Sequence, residues 1–402
     1  MKKMLMAAGV AAVMTACGTA GQKGATDAGN PLLTEYSTPF GVPPFDLIKV
    51  EHYKEAFLKG MEEQKKEIDA IVNQRSVPDF YNTIAAFDQS GELLNRVSTV
   101  FSGLNSCNTN DEMQAFNKEI TPLLSAHRDD ISLNPTLFAR VKEVYERREK
   151  LGLDKEQNKL LEETYKKFVR GGANLDSVDQ AKLRQLNSEI SMLQLTFGQN
   201  LLKETNAFES VIDKKEDLAG LPEGLVASAA EAAKGAGMQE KWLFTLHNPS
   251  VMPFLQYADN RELREKIFKG YINRGNNGNE TDNNEIVKKL VALRLEKAKL
   301  MGYADYASYV LEDRMAKNEE NVYRLLNQIW TPAVAKAKEE LADIQAEIKK
   351  EGGNFTPEGW DWRYYFEKAK KAKFSLDENE VRPYLELNNV REGAFYVANR
   401  LY

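Results

Sequence analysis

Apolar residues that return every three or four positions, run after run, leave this chain little choice of fold. Between Asp179 and Thr205 they are Leu183, Leu186, Ile190, Leu193, Phe197 and Leu201, all on one side of a helix. A second helical segment, Asp154 to Arg170, precedes this one across Gly171-Gly172, and the pair reads as an antiparallel hairpin within one chain. The repeat is too short to sustain a coiled-coil rod. Nearer the start, Val50, Phe57, Met61, Ile68, Ile71 and Val72 share one face. Asp79, just after Pro78, suits the N-cap of a following helix with the face Ile84, Phe87, Leu94, Val97, Phe101 and Leu104. The texture changes only from Phe208 to Ala258. There Phe208 to Ile212 and Trp242 to Leu246 read as short strands, punctuated by Pro222, Gly224, Gly235 and Gly237. The class is mainly α, with a seam near Ala258.

The first residues follow a different rule. Lys2 and Lys3 precede the short apolar run Met4 to Val13, which is too short to span a bilayer, and Cys17 follows a small residue. The run resembles a bacterial lipoprotein signal with its lipobox, which implies lipid attachment at Cys17 and Met14 in place of the more usual Leu. The other reading is an ordinary secretory signal with a stray Cys17. Gly18 to Gly29 is a flexible tether of Gly, Ala and Thr. The implied setting is the bacterial cell envelope, facing the periplasm or exterior, with membrane contact only through the anchor.

Removing Lys2 and Lys3 moves the formal charge from −6 to −8, which argues against nucleic acid as a partner. With Cys17 lipidated, Cys107 has no disulfide partner and is expected to be a buried, inert thiol. At 42% hydrophobic residues over 402 positions, a large core and two domains are expected without staples.

A search for reaction chemistry finds no motif. The three histidines are His52, His127 and His247, and none begins a His-Glu-x-x-His run that would place two imidazoles on one helical face. No Gly-x-Ser-x-Gly elbow, Walker loop, dinucleotide fingerprint or twelve-residue calcium loop occurs. The catalytic and metal residue sets are therefore both empty. Gly359 to Phe366 packs five aromatics into eight residues and reads as a helix start stapled to the core, with Asp361 or a neighbour as cap.

Five stretches carry a family resemblance. They are PFGVPPFDLIKVEHYKEAFLKGM (Pro39 to Met61), PDFYNTIAAFDQSGELLNRV (Pro78 to Val97), FVRGGANL (Phe168 to Leu175), LRLEKAKLMGYADYASYVLEDRMA (Leu293 to Ala316) and WDWRYYFEKAKKAKFSLDENEVRPYLEL (Trp360 to Leu387). Together, and in this order, they resemble the bacterial dipeptidyl carboxypeptidases of the thimet-oligopeptidase-like zinc metallopeptidases. The resemblance implies a two-lobed, α-helical monomer with a channel between the lobes. It also implies zinc in the full-length protein, and short peptides that lose dipeptides from their C-termini. An endo-acting oligopeptidase of the same family is the alternative within the class. A non-catalytic, peptide-binding lipoprotein is the alternative outside it.

On this likeness, residues 1–17 are signal and lipobox, 18–38 tether, 39–258 the N-terminal helical lobe and 259–402 the first part of the catalytic lobe. The family's zinc helix has no counterpart among these residues, so the 402-residue chain is expected to bind no zinc and to be inert alone. Val390, Ala394, Val397, Ala398 and Leu401 form a helical stripe with no Gly, Pro or Asn after it. That open stripe predicts poor solubility or partial disorder beyond Ala258.

Overall fold

A computed structural model describes residues 29–375 and 378–402; Cys17 and the first 28 residues lie outside the described part. The described chain is built almost wholly of helices, as the periodicity demands, and falls into two compact units. The first comprises residues up to Ser76 together with Ala85–Phe116. The second comprises Val77–Ile84 and Asn117–Tyr402.

In the first unit, α1 (Val50–Val72), the single turn α2 (Ala86–Gln89) and α3 (Glu92–Cys107) pack with the opening turns of α4 (Asp111–Ser132). Four rings make the core. Tyr53 meets Phe101 edge-on at 5.0 Å, Phe101 meets Phe116 edge-on at 5.3 Å, and Phe57 lies 5.7 Å from both Phe101 and Phe116. Such edge-to-face pairs add to the burial of each ring. Burial pushes the Tyr53 phenol up to about 12.

The single helix expected after Asp79 is broken. Asp79 does cap it, accepting from the Asn82 N–H at 2.7 Å, but Phe80–Ala85 is a wide π turn. Gly91 then takes φ +79° to restart the chain as α3, and its N–H is held by Glu67 at 2.7 Å. A left-handed residue cannot continue a right-handed helix, so the face had to be split there.

The second unit continues with α5 (Pro135–Glu146), α6 (Lys155–Arg170) and α7 (Ser177–Ala207). The two helices of the expected hairpin both form. Each, however, finds another companion: α6 lies along α5, and α7 along α11 (Asn284–Leu300). Polar rungs mark the contact between α7 and α11. Lys182 pairs with Glu296 at 2.6 Å and Lys289 with Glu189 at 3.4 Å. Between them, Asn187 accepts from Lys297 at 2.6 Å and donates to Asp129 of α4 at 2.8 Å. Burial holds the Lys297 ammonium below its ordinary range and pushes the Asp129 carboxyl above its own.

The two predicted strands are present but short. β1 (Ser210–Ile212) pairs antiparallel with β2 (Trp242–Phe244), Val211 opposite Leu243. Around this two-stranded sheet α8 (Glu223–Gly235), α9 (Asn248–Tyr257) and α10 (Arg261–Ile272) close a core of Ile212, Phe244, Leu246, Val251, Phe254, Leu255 and Ile267. The Asn/Gly-rich loop before α11 is held by one carboxylate. Glu204 accepts from the Gly275 N–H at 2.6 Å, Asn277 at 2.7 Å, and Asn279 and Thr281 at 2.8 Å. Burial pushes its carboxyl up, but these donors outweigh burial and hold it below the ordinary range. The chain then runs through α12 (Tyr306–Leu311), α13 (Glu319–Lys350), α14 (Gly359–Phe374), the turn α15 (Glu378–Val381) and α16 (Leu387–Leu401).

Two outcomes follow from this packing. A Cβ at Gly60 of α1 would lie 2.9 Å from the Leu94 backbone of α3. Gly60→Ala should therefore cost about 1–3 kcal/mol by overpacking; urea unfolding followed at the first unit's aromatic core measures it. The Glu204 clamp has a lowered folded pKa. Its stabilisation is thus present above the ordinary glutamate value of 4.5 and is lost as pH falls through the folded value. Protection of the 273–284 loop amides, taken relative to their intrinsic exchange rates, should fall in that acid window in the native chain. In Glu204→Gln it should be low at every pH.

Candidate functional site

One cavity stands out in the second unit, with a volume of about 690 Å³. Its walls follow from helical spacing: Leu225, Ser228, Ala229 and Ala232 step along one face of α8, and Pro249, Pro253 and Gln256 along one face of α9. Leu243 and Thr245 supply the floor from β2 and its exit, and Val381, Arg382 and Leu385 come from the end of α15 and the turn after it. Small residues on α8 leave the space; the lining is mainly apolar, with Arg382 as its charged group. This is the geometry of a pocket for a small molecule or a short peptide segment.

His247 is the titratable ring in that wall. Its Nδ1 lies 3.0 Å from the Thr245 hydroxyl and its Nε2 3.1 Å from the Asn206 side-chain oxygen. With Nε2 donating to Asn206, Nδ1 accepts from Thr245, and no lone pair is left for a metal. His52 serves α1, its Nδ1 accepting from the Lys49 N–H at 3.1 Å across the first turn. His127 is buried on α4. Among the described residues no three His, Cys, Asp or Glu side chains gather as a metal-binding group.

Cys107 corrects an expectation. It is exposed, not buried, at the last turn of α3, with its sulfur 3.6 Å from the Ser106 hydroxyl. It would extend the Val97, Phe101, Leu104 stripe, but burial on that stripe fades after Phe101. The aromatic run behaves as expected: Tyr364 and Tyr365 are buried against Ile344, Ile348, Phe355 and Trp362.

The end of α9 is tied to α14 by a buried ionic node that sequence reading missed. Asp361 has no solvent exposure. It receives Arg261 through two nitrogens, at 2.9 and 2.7 Å, Arg264 at 3.0 Å and the Glu358 N–H at 3.1 Å. Arg264 is itself buried, and it also donates to the carbonyls of Ala258 at 2.7 Å, Asp259 at 3.1 Å and Trp360 at 3.2 Å. Its guanidinium lies 4.0 Å over the Tyr364 ring, whose hydroxyl donates to Asp259 at 2.8 Å. Gln256 in the cavity wall reaches Glu367 of α14 at 2.8 Å. Burial pushes the Asp361 carboxyl up, but Arg261, the Glu358 N–H and Arg264 outweigh it and keep the group below the usual carboxylate range. The signal was present in part: Arg261 and Arg264 are one helical turn apart, and Asp361 stands three residues after its partner in a capping box, Glu358.

Comparison with known proteins agrees with this helical architecture. Residues 254–402 match the profile of peptidase family M3. In that region and beyond it the chain resembles the family's thimet-oligopeptidase-like members. More particularly, it is 41% identical over 374 residues to the dipeptidyl carboxypeptidase of Escherichia coli K12, covering 93% of this chain and 55% of the relative. It is 39% identical to the Salmonella typhimurium LT2 protein of the same name over equal shares. Oligopeptidase A of Salmonella typhimurium LT2 is 30% identical over 377 residues, again 93% of this chain and 55% of the relative. The chain thus spans about half the length of the curated relatives it matches.

Deleting the carboxylate of the node should leave the Arg264 guanidinium buried without its anion. Asp361→Ala is expected to cost about 3–5 kcal/mol in urea unfolding. Because the folded pKa of Asp361 is lowered, its contribution is present above the ordinary aspartate value of 3.8 and fades as pH falls through the folded value. The variant's stability should therefore lose part of the wild-type acid slope.

Proposed function

We propose that this chain is part of a zinc metallopeptidase that hydrolyses short peptides by releasing dipeptides from their C-termini. The observation that carries the reading is the gap in likeness. Identity is 41% to the E. coli dipeptidyl carboxypeptidase and 30% to oligopeptidase A, over the same share of this chain. The domain reading goes with it: residues 39–258 form the N-terminal lobe and 259–402 the first part of the catalytic lobe. The residues at hand do not fit a zinc site. His52, His127 and His247 serve separate local structures, and no His-Glu-x-x-His run is present. No reaction step is therefore assigned to these residues, and the 402-residue chain is expected to be inactive alone.

The lipobox-like residues support anchoring in the bacterial cell envelope through Cys17. The cavity beside His247 supports a second reading, a peptide-binding lipoprotein without catalysis, because its volume and apolar lining suit a short peptide segment.

The purified 402-residue chain should hold less than about one zinc per ten molecules by elemental analysis and should leave a dipeptide-blocked fluorogenic peptide uncut, since a zinc site needs three or four gathered donors. The product of the whole gene should bind zinc and release dipeptides, read by mass spectrometry of a defined peptide. Internal cleavage would favour the oligopeptidase class. Micromolar binding of that peptide to a gene product that never cuts it would favour the binding module. Cys17→Ser should abolish labelling with a fatty-acid analogue.

A further inference from the structure

The two halves of α13 live in different surroundings. At its C-terminal end Ile344 and Ile348 are fully buried against Tyr364 and Tyr365 of α14. Toward its N-terminus Tyr323, Leu326, Ile329 and Trp330 recur at helical spacing, and 62%, 51%, 56% and 69% of each is exposed. On α16 Val390, Val397 and Leu401 form a second stripe, at 47%, 53% and 70% exposure. A surface helix normally turns its periodic apolar stripe inward. Contiguous apolar surface of several hundred Å² on a soluble protein marks a place that something covers.

We infer that the Tyr323–Trp330 face of α13 and the Val390–Leu401 face of α16 are each a docking surface for the remainder of the same peptidase domain. This rests on the reading above that the chain is part of a longer peptidase. Three observations single out that occupant. Both helices lie inside residues 254–402, the region matched by the family profile. A little under half of each relative has no counterpart in this chain. And α13 is already a core helix at one end, so the missing neighbour continues an existing core. Covering these stripes recovers hydrophobic stabilisation on the scale of a domain's whole margin.

The test is hydroxyl-radical footprinting of the whole gene product, with the gene sequenced beyond the Tyr402 codon. Tyr81, 70% exposed, serves as the internal reference. Labelling of Trp330 and Leu401, scaled to Tyr81, should fall at least about tenfold between the 402-residue chain and the longer product. Where the shorter chain does not fold, low Trp330 labelling relative to Tyr81 in the longer product carries the same meaning. A Trp330→Glu substitution should lower the melting temperature of the longer product and leave that of the 402-residue chain unchanged. A longer product in which Trp330 stays as reactive as Tyr81 overturns the docking surface and leaves the peptidase reading standing. A reading frame that stops after Tyr402 overturns both. A 402-residue dimer that Trp330→Glu splits, seen by light scattering, overturns the assignment by making a second copy the occupant.

Discussion

The second unit is organised around one carboxylate that water does not reach. Asp361 has two guanidiniums and a backbone N–H around it, and one of those guanidiniums, Arg264, is spent in every direction on carbonyls at the end of α9 and the start of α14. Such a node does little for net stability, because desolvating Asp361 and Arg264 costs about what their attraction returns. What it does supply is direction. Each nitrogen of a planar guanidinium can be satisfied in only one arrangement, so α9, α10 and α14 are fixed in angle as well as in contact. The cavity wall inherits that geometry, since Gln256 on α9 is bonded to Glu367 on α14.

Much of this architecture could be read from residue spacing. The faces of α1, α3 and α7, the existence of the two short strands and the burial of Tyr364 and Tyr365 all follow from apolar period and turn residues. What could not be read is which helix lies beside which. Leu183, Leu186 and Ile190 announce a face on α7 but do not name its partner, α11, whose residues facing Lys182, Asn187 and Glu189 lie about a hundred positions away. The same limit hid the break at Gly91, where one left-handed residue outweighs a continuous stripe, and the exposure of Cys107, where the stripe runs past the end of the core.

The candidate site was less legible than the fold. Its wall residues are small or apolar and carry no chemical signature: Ala229, Ala232 and Pro253 look like any helix face. His247 could be found as a histidine, but its role as a hydrogen-bonded strut between Thr245 and Asn206 needed coordinates. Histidine content alone would have overstated the prospects for metal chemistry in this part of the molecule. The family likeness, by contrast, was carried by sequence and agrees with the helical fold.

The divided surroundings of α13 also bear on the order of events during synthesis. Its C-terminal half meets α14 across a short loop, an encounter between near neighbours that costs little chain entropy. Once that turn of helix is fixed, propagation toward Glu319 adds one hydrogen bond per residue only as far as Pro332, which has no N–H to give. The Glu319–Trp330 half therefore leans on its own start, where Asn318 accepts from the Asn321 N–H at 2.9 Å, more than on the core at its far end.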